Sequence, residues 1–419
     1  MIKQIKIENY KSIPSLEMAL GRVNVLIGEN GCGKTNILEA IALGSAAATL
    51  KLELLSSKGI RETEPRLMKV GFEMNSAQNP IKLTYNNEKN IGITVQISES
   101  KKYPSRLIIS DWTLSEEISQ IKEFDNTIAA YLATANLGAI LVKAFNEGWG
   151  EELVNKLNNN DSDWLDYLNL KIRNSESSDR SESELNVVLH AAQKVVEYFQ
   201  IDDFAIFCPE NTHLRRFDEE GQTRPLGIRG EGLFGHLAEL ARMEPAIFQR
   251  INQTLQLIDW FSDFEIPNDL IFNERRIRIR DRYLDQGIQY IDQRSSNEGF
   301  LYLLFYVTLF VSPYTPKFLA IDNIDNTLNP KLCSKLIAEI TQLAKKYDKQ
   351  VIVTAHNPGL LDGLNLNDDE QRLFVISRNK LGHTKALRIQ HKPSMNGHES
   401  VRLSEQFLRG YIGGIPDNF

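Results

Sequence analysis

The hydrophobic pattern at the start of the chain predicts two strands followed by a helix. Residues 2–9 alternate apolar and polar side chains with period two, and residues 23–27 form a short segment that is apolar except for Asn24; both patterns are typical of strands. A polar turn is expected at residues 12–15. Residues 34–56 are rich in Ala, Leu and Ile at helical spacing, so a helix is expected there.

The next part of the chain changes from short strands to amphipathic helices. Clusters of Asn, Ser, Gly and Pro separate the β-like segments, which predict a small antiparallel patch. From residue 113 the spacing becomes helical, with polar interruptions, and we predict a helical insertion at residues 111–199 that serves as a partner or oligomer surface. The β-like segments are residues 67–74, 81–85, 91–97 and 106–110.

The last part of the chain alternates strands with helices, which favours a parallel α/β sheet. Residues 300–311 are apolar except for Thr308 and are too few for the ~20 residues that span a bilayer, so they predict a buried helix. The predicted strands are residues 204–208, 318–321, 351–354 and 373–377. We expect residues 1–110 and 200–419 to form one discontinuous domain.

Composition and charge narrow the functional classes. The 419 residues are 42% hydrophobic and 25% charged, as in globular proteins, and the net charge of −7 argues against a surface made basic all over for nucleic acid. Three cysteines lie far apart without metal-ligand spacing. With a strand-like start in place of a signal peptide, a cytoplasmic protein without a membrane partner is expected.

A phosphate-binding loop lies between the second predicted strand and the helix. The residues GENGCGKT at positions 28–35 match G-x-x-x-x-G-K-[ST] in full. Glycines let backbone N–H groups turn toward phosphates, Lys34 reaches the β- and γ-phosphates, and the Thr35 hydroxyl ligates Mg²⁺. The alternative is an accidental Gly-rich turn. The motif predicts ATP and Mg²⁺ binding.

A second acidic site follows the predicted strand at residues 318–321. Asp322 comes directly after this strand, where a Walker-B aspartate holds Mg²⁺. Many buried strands end in Asp, so this signal gains weight only from the phosphate-binding loop.

With these motifs in place, the chain resembles ABC-type ATPases of the SMC, RecF and overcoming-lysogenization (AAA) kind. The resemblance rests on IKIENYKSI, GENGCGKTN, IDNIDNTLNP and VTAHNP and covers residues 1–100 and 200–390. It implies an α/β fold: a two-lobed ATPase head that combines a P-loop parallel sheet with an antiparallel β patch. The nucleotide-binding residues are then Gly28, Asn30, Gly31, Cys32, Gly33, Lys34, Thr35 and Asn36, and the catalytic residues are Lys34, Asp322, Asn323 and His356.

The resemblance also implies a site that acts across a dimer. In the family a Ser-x-Gly signature at the start of an apolar helix contacts ATP bound to the partner subunit. Here Ser296, Asn297 and Gly299 precede residues 300–311, with Asn297 in the usual serine position. A simple helix N-cap is the alternative. His356 matches the family's switch histidine, and Asn326 begins the D-loop.

One departure from the family concerns the residue after Asp322. The family has a glutamate that polarises the attacking water, and this chain has Asn323. Because an amide cannot accept a proton, general-base help worth ~10²–10⁴ in rate is missing. We expect slow conversion of ATP and water to ADP and phosphate, with Asp325 as an alternative base.

An arginine-rich segment is the one local feature that favours nucleic acid. Arg276, Arg278 and Arg280 share one face of a period-two strand, at a spacing of roughly 6.6 Å that approaches the ~7 Å between phosphates. The alternative is a solvated strand face paired with nearby acids.

Two functions remain as hypotheses. The first is a homodimeric or higher-order sensor or scaffold subunit that controls an effector, either a nuclease or a toxin, in anti-phage defence like the Septu, PARIS and retron-associated systems. The second is a DNA-binding ATPase in repair or recombination, similar to RecF and SMC.

Overall fold

The structure is a computed structural model, and it divides the chain into two compact units. The first unit comprises Met1–Gly21, Asn30–Phe204 and Ile376–Ala386, and the second comprises Arg22–Glu29, Ala205–Val375 and Leu387–Phe419. None of the helices within the described residues has the length and apolarity that a bilayer crossing needs. The described residues are 1–49, 51–52, 55–61, 64–70, 79–89, 91–100, 107–115, 195, 197–217, 225–267, 275–285, 290–390 and 401–413.

The first unit contains a five-stranded antiparallel sheet with strand order β2-β1-β4-β5-β6. Burial alternates along β1 and β4, so one face of the sheet is apolar. The strands are β1 (Ile2–Tyr10), β2 (Ile13–Ala19), β4 (Ile81–Asn87), β5 (Gly92–Glu99) and β6 (Leu107–Leu114), and the helices are α1 (Lys34–Ala48) and α2 (Pro65–Met68).

Helix α1 packs closely against the first unit's sheet. The Tyr85 hydroxyl donates to the Ile41 carbonyl at 2.7 Å, and Trp112 Nε1 donates to the Ala48 carbonyl at 3.4 Å. A Cβ at Gly44 would lie 2.2 Å from the Tyr85 hydroxyl, so only glycine permits this approach. The helix that follows the phosphate-binding loop is therefore fixed along its length.

A buried carboxylate ties the β1–β2 turn to α1. Glu39 is fully buried and pairs with Lys11 of the turn and with Arg61, whose Nε lies 2.8 Å from Glu39 Oε1. Burial alone would raise the pKa of Glu39, but the hydrogen bonds and charges of Lys11 and Arg61 outweigh it and lower the pKa. The carboxylate therefore stays ionised and holds both segments to the helix.

The second unit is built mainly around a six-stranded sheet with strand order β14-β13-β3-β12-β11-β7. Strand β3 pairs in parallel with both β12 and β13, and β11 pairs in parallel with β12 and β7. The predicted parallel sheet formed by both ends of the chain is therefore confirmed. The strands are β3 (Val23–Ile27), β7 (Ile206–Phe207), β11 (Phe318–Ile321), β12 (Gln350–Thr354), β13 (Gln371–Arg378) and β14 (Thr384–Ile389).

Helices and a small second sheet surround this parallel sheet. The apolar helix α6 is buried along almost its whole length, as its sequence predicts, and forms much of the unit's core. The small sheet has strand order β10-β9-β8. The elements are α3 (Asn211–Arg215), α4 (Leu233–Met243), α5 (Pro245–Leu255), β8 (Phe261–Glu265), β9 (Arg278–Asp281), β10 (Ile291–Asp292), α6 (Glu298–Val311), α7 (Pro330–Lys346) and α8 (Leu403–Leu408).

A buried lysine closes the C-terminal end of α6. Lys349 Nζ donates to the Leu309 carbonyl at 2.8 Å and to the Thr315 hydroxyl. Burial, with a further contribution from Lys317, lowers the pKa of Lys349 to about 7. This amine satisfies a helix carbonyl that has no partner within the helix.

A buried histidine lies near the same helix end. His236 Nε2 is hydrogen-bonded to Ser312 Oγ at 2.8 Å, and the imidazole meets the Tyr314 ring edge to face at 6.2 Å. Burial lowers the pKa of His236, Glu239 opposes the shift, and Lys349 adds to it. His236 is therefore held in its neutral form.

Several local predictions were wrong. The polar run expected as a turn at residues 12–15 instead enters β2, whose residues Ile13, Leu16 and Met18 are buried. The β-like start of residues 67–74 lies in the short helix α2, which begins at a proline. Helix α1 ends at Ala48 rather than near residue 56.

The predicted helical insertion lies almost entirely outside the described residues. At its start, β6 continues to Leu114, so residues 111–114 belong to the antiparallel sheet rather than to a helix. The predicted domain boundaries otherwise remain predictions.

Candidate functional site

The phosphate-binding loop adopts the conformations that its glycines permit. Gly28, Gly31 and Gly33 have φ values of 148°, 77° and 108°, which residues with a Cβ rarely adopt. A Cβ at Gly33 would lie 2.2 Å from Thr384 Oγ1, whereas no atom lies within 4 Å of one at Gly31. The loop therefore packs tightly at its end and is open at its middle.

Two hydroxyl groups fix the end of this loop within the first unit. Thr384 Oγ1 donates to the Cys32 carbonyl at 2.9 Å and is hydrogen-bonded to Ser12 Oγ at 2.7 Å. The Asn36 side-chain amide also donates to Ser12 Oγ at 2.7 Å. Sequence reasoning missed Ser12 and Thr384, because nothing in a linear pattern links residues so far apart.

The basic side chain of the loop is buried beside a thiol. Lys34 is 6% exposed, and its Nζ lies 4.0 Å from Cys32 Sγ. Thr35 is half-buried in the first turn of α1, where a helix N-terminus favours anions. Positive-φ glycines, a lysine and a threonine at this helix start fit a nucleotide phosphate with Mg²⁺.

The predicted Walker-B aspartate is held by a threonine of the neighbouring strand. Asp322 follows β11, and the fully buried Thr354 hydroxyl donates to Asp322 Oδ1 at 2.5 Å. The same hydroxyl accepts the Asn323 N–H at 2.8 Å. A carboxylate at the C-terminal end of a parallel strand fits Mg²⁺, which prefers oxygen ligands. No linear pattern indicates this role for Thr354, beyond its place two residues before His356.

The segment after Asp322 contains two residues in the left-handed region. Asn323 has φ +55° and Thr327 has φ +63°; asparagine tolerates this conformation, whereas a β-branched residue does so at a cost of about 1–3 kcal/mol. Asn326, the first residue of the predicted D-loop, is exposed and donates its N–H to the Asn323 carbonyl at 3.1 Å. This segment therefore stores backbone strain.

Asp325 positions the predicted switch histidine. Its Oδ2 accepts the backbone N–H groups of His356 at 2.8 Å and of Asn357 at 2.5 Å. The His356 residue itself is exposed. These two bonds hold the Asp325 carboxylate against the backbone of the histidine loop. They therefore favour a positioning role for Asp325 over its predicted alternative role as the general base.

The predicted signature residues form the start of α6. Asn297 is the N-cap, and its Oδ1 accepts the Gly299 N–H at 2.8 Å, which matches the N-cap alternative. Ser296 is 3% exposed, and its hydroxyl has no hydrogen-bond partner among the described residues. A buried hydroxyl without a hydrogen-bond partner lowers the free energy of unfolding by about 1–3 kcal/mol.

Acidic side chains pair with two of the predicted nucleic-acid residues. Arg278 lies 3.4 Å from Glu265 and Arg280 lies 3.4 Å from Asp263, both on the adjacent strand β8. Arg276 precedes β9, which begins at Arg278. These pairs agree with the alternative of a solvated strand face paired with acids. The pairing acids lie on β8, however, and are not the acids next to these arginines in the sequence.

Family comparisons match two parts of the chain. Residues 1–200 match the family described as "AAA ATPase domain", and residues 246–362 match "AAA domain, putative AbiEii toxin, Type IV TA system". A curated relative, the DNA double-strand break repair Rad50 ATPase of Methanopyrus kandleri, is 46% identical over 52 residues. That match covers 12% of this chain and only 6% of the relative's length.

Comparison with solved structures identifies the fold. An SMC head, solved bound to the C-winged helix domain of ScpA, aligns over 93% of this chain and 98% of its own, with 15% identity and a TM-score of 0.52. The SMC head domain from Thermotoga maritima aligns over 93% and 99% with 12% identity and a TM-score of 0.44. The chain has an SMC head-like α/β fold, and both family models that match it describe AAA ATPase domains.

Proposed function

We propose that this chain binds ATP with Mg²⁺, dimerises head to head around the nucleotide and hydrolyses it slowly. The observation that carries the proposal is the Thr354 hydroxyl, which orients the Asp322 carboxylate while it holds the adjacent Asn323 in place. A side chain held from a rigid strand is prepared to bind a ligand without reorganisation.

Each residue has a defined part in this proposal. The loop N–H groups and Lys34 bind the phosphates, and Thr35 and Asp322 hold Mg²⁺, which neutralises phosphate charge when bound. Asn323 orients the attacking water through its amide but cannot take a proton from it. Long-lived ATP-bound dimers follow, because the step that would separate them is slow.

The test measures mass and turnover together. Size-exclusion chromatography with light scattering should give a monomer without nucleotide and a dimer or higher homo-oligomer with ATP and Mg²⁺. Lys34→Ala should stay monomeric, and phosphate release by the wild type should be slow. A wild-type chain that stays monomeric with ATP, or turns it over like an efficient ATPase, would contradict the proposal.

The ATP-bound dimer is proposed to act as a sensor or scaffold that controls a nuclease or toxin in anti-phage defence. The toxin–antitoxin description of the matched family and the partner domain on the similar SMC head support control of an effector protein. Co-expression with the products of the genes that flank its own tests this role, and one of these products should be toxic when it is expressed alone. Protection from toxicity should require wild-type Lys34, and equal protection by Lys34→Ala would contradict the role.

A DNA-binding ATPase of repair or recombination is the second candidate. The short match to a Rad50 ATPase favours it, whereas the acidic partners of Arg278 and Arg280 reduce the charge available to phosphates. Salt-dependent binding of duplex DNA in the presence of ATP, weakened by Arg276→Ala, would support this candidate. Absence of such binding would remove it.

A further inference from the structure

Arg215 reaches from α3 to the loop that precedes α6. Its Nη1 donates to the carbonyl oxygens of Gln293 at 3.3 Å, Arg294 at 2.7 Å and Ser296 at 2.9 Å. One guanidinium nitrogen therefore holds nearly the whole loop that carries the predicted signature.

The guanidinium is itself held in place. Arg215 Nε donates to Asn211 Oδ1 at 2.7 Å, which fixes the plane of the fork relative to α3. The neighbouring Leu214 is buried in the core and lies where a Cβ at Gly230 would be only 2.6 Å away. Arg215 therefore projects from a packed segment rather than from a free surface.

A buried glutamine of the same loop holds it to the segment before β9. Gln293 is 1% exposed, its Oε1 accepts the Ile277 N–H at 3.1 Å, and its Nε2 donates to the Arg275 carbonyl at 3.3 Å. The loop is thus held by Arg215 and by the segment that leads into β9.

One polar group of the loop is left without a partner. The carbonyl of Ser296 is bound by Arg215, but the Ser296 hydroxyl is buried and has no hydrogen-bond partner among the described residues. A loop whose backbone is fixed while one hydroxyl is unsatisfied is suited to a ligand that is not yet bound.

We propose that Arg215 is a positioning residue that holds the signature loop in the shape needed to contact ATP on a second copy of this chain. This inference rests on the proposed ATP-dependent dimer. Arg215 acts through the backbone of Ser296 and its neighbours, so its loss affects the partner's nucleotide rather than the nucleotide bound by its own subunit.

The first experiment compares Arg215→Ala with the wild type. Fluorescent-ATP titration should give an affinity within about twofold of the wild type, because the phosphate-binding loop is unchanged. Light scattering with ATP and Mg²⁺ should show dimerisation weakened more than about tenfold. Arg215→Lys retains one charged donor for the carbonyls but loses the bond to Asn211, so its dimerisation should be intermediate between those of the wild type and Arg215→Ala. This variant keeps the inference testable if Arg215→Ala does not fold.

The control is Arg388→Ala. Arg388 belongs to the same unit and pairs with Asp369 at 2.6 Å, away from the signature loop. This variant should dimerise like the wild type. If Arg215→Ala dimerises as well as the wild type and this control, the inference is wrong while the proposed function stands; a wild type without ATP-dependent dimers would remove the proposed function itself.

The second experiment mixes two defective chains. Lys34→Ala lacks nucleotide binding but keeps its signature loop, and Arg215→Ala has the opposite defect. Their mixed dimer contains one site with both intact halves, as does the mixed dimer of wild type and Lys34→Ala. Equal yields of the two mixed dimers, each isolated through a tag carried only by the Lys34→Ala chain, support the inference. A yield from the double-variant mixture more than about tenfold lower would overturn it.

Discussion

The Thr354 hydroxyl is the most direct point at which to test the candidate site. Thr354→Val keeps the shape of a fully buried side chain but removes the donor to Asp322 and the acceptor of the Asn323 N–H. A hydrogen bond to a carboxylate contributes about 1.5–3 kcal/mol, and an unsatisfied N–H costs about 1–3 kcal/mol. The added methyl returns about 0.8 kcal/mol. The free energy of unfolding should therefore fall by about 2–5 kcal/mol.

The assay separates orientation of Asp322 from stability. Calorimetric titration of ATP with and without Mg²⁺ should show that Thr354→Val loses most of the Mg²⁺-dependent part of the affinity and keeps the Mg²⁺-free part. Urea unfolding measures the accompanying loss of stability. Thr354→Ser retains the hydroxyl, so it should keep the Mg²⁺ dependence even though it loses a buried methyl.

Thr308→Val is the matched control. Thr308 is also fully buried, but its hydroxyl donates only to the Leu304 carbonyl of its own helix at 2.7 Å. This variant should bind Mg²⁺ and ATP like the wild type. If Thr354→Val keeps both the wild-type Mg²⁺ dependence and stability within about 0.5 kcal/mol, the hydroxyl does not orient Asp322.

Three further predictions address single residues. Asn323→Glu should raise the rate of phosphate release by about 10²–10⁴-fold, because it restores a general base, whereas Asn323→Gln, of the same length, should give no such rise. Equal rates for the two variants would argue that a missing general base does not limit the reaction. Gly33→Ala should weaken fluorescent-ATP binding more than Gly31→Ala, since only the former adds a 2.2 Å clash to a positive φ; similar losses would show that the clash is relieved. Because the pKa of His236 is lowered in the folded chain, the imidazole takes up a proton more readily in the unfolded chain, whose histidine has a pKa of about 6.5. The free energy of unfolding should therefore decrease as the pH falls through about 6.5. Thermal unfolding at about pH 7.5 and pH 5.5 should show a smaller decline in His236→Gln, and an unchanged decline would assign it to other groups.

Contiguous motifs made much of the fold predictable. Strands β3 and β11 begin and end at the predicted residues, because both are short, apolar except for Asn24, and buried on both faces. Helix α6 was predictable for a similar reason, since it is apolar on every side. The phosphate-binding loop follows from glycine spacing, and its positive φ values agree with that requirement.

The supporting contacts were not predictable, because they join residues that are distant in sequence. Ser12 and Thr384 meet across most of the chain, and Arg215 reaches a loop some 80 residues later. Thr354 resembles any residue at the end of a strand until its hydroxyl is seen beside Asp322. Such roles depend on tertiary packing, which hydrophobic periodicity does not encode.

Hydrogen bonds join the segments at the ends of β11 and β12 into one structural element. Thr354 accepts the N–H groups of Asn323 and Ile324, through its hydroxyl and its carbonyl, and Asp325 accepts those of His356 and Asn357. A movement of either segment must therefore carry the other or break these bonds. Because the β-branched Thr327 lies in the left-handed region, the segment after β11 already stores strain that a rearrangement can release. Nucleotide contacts at the histidine loop are thereby expected to move the predicted D-loop.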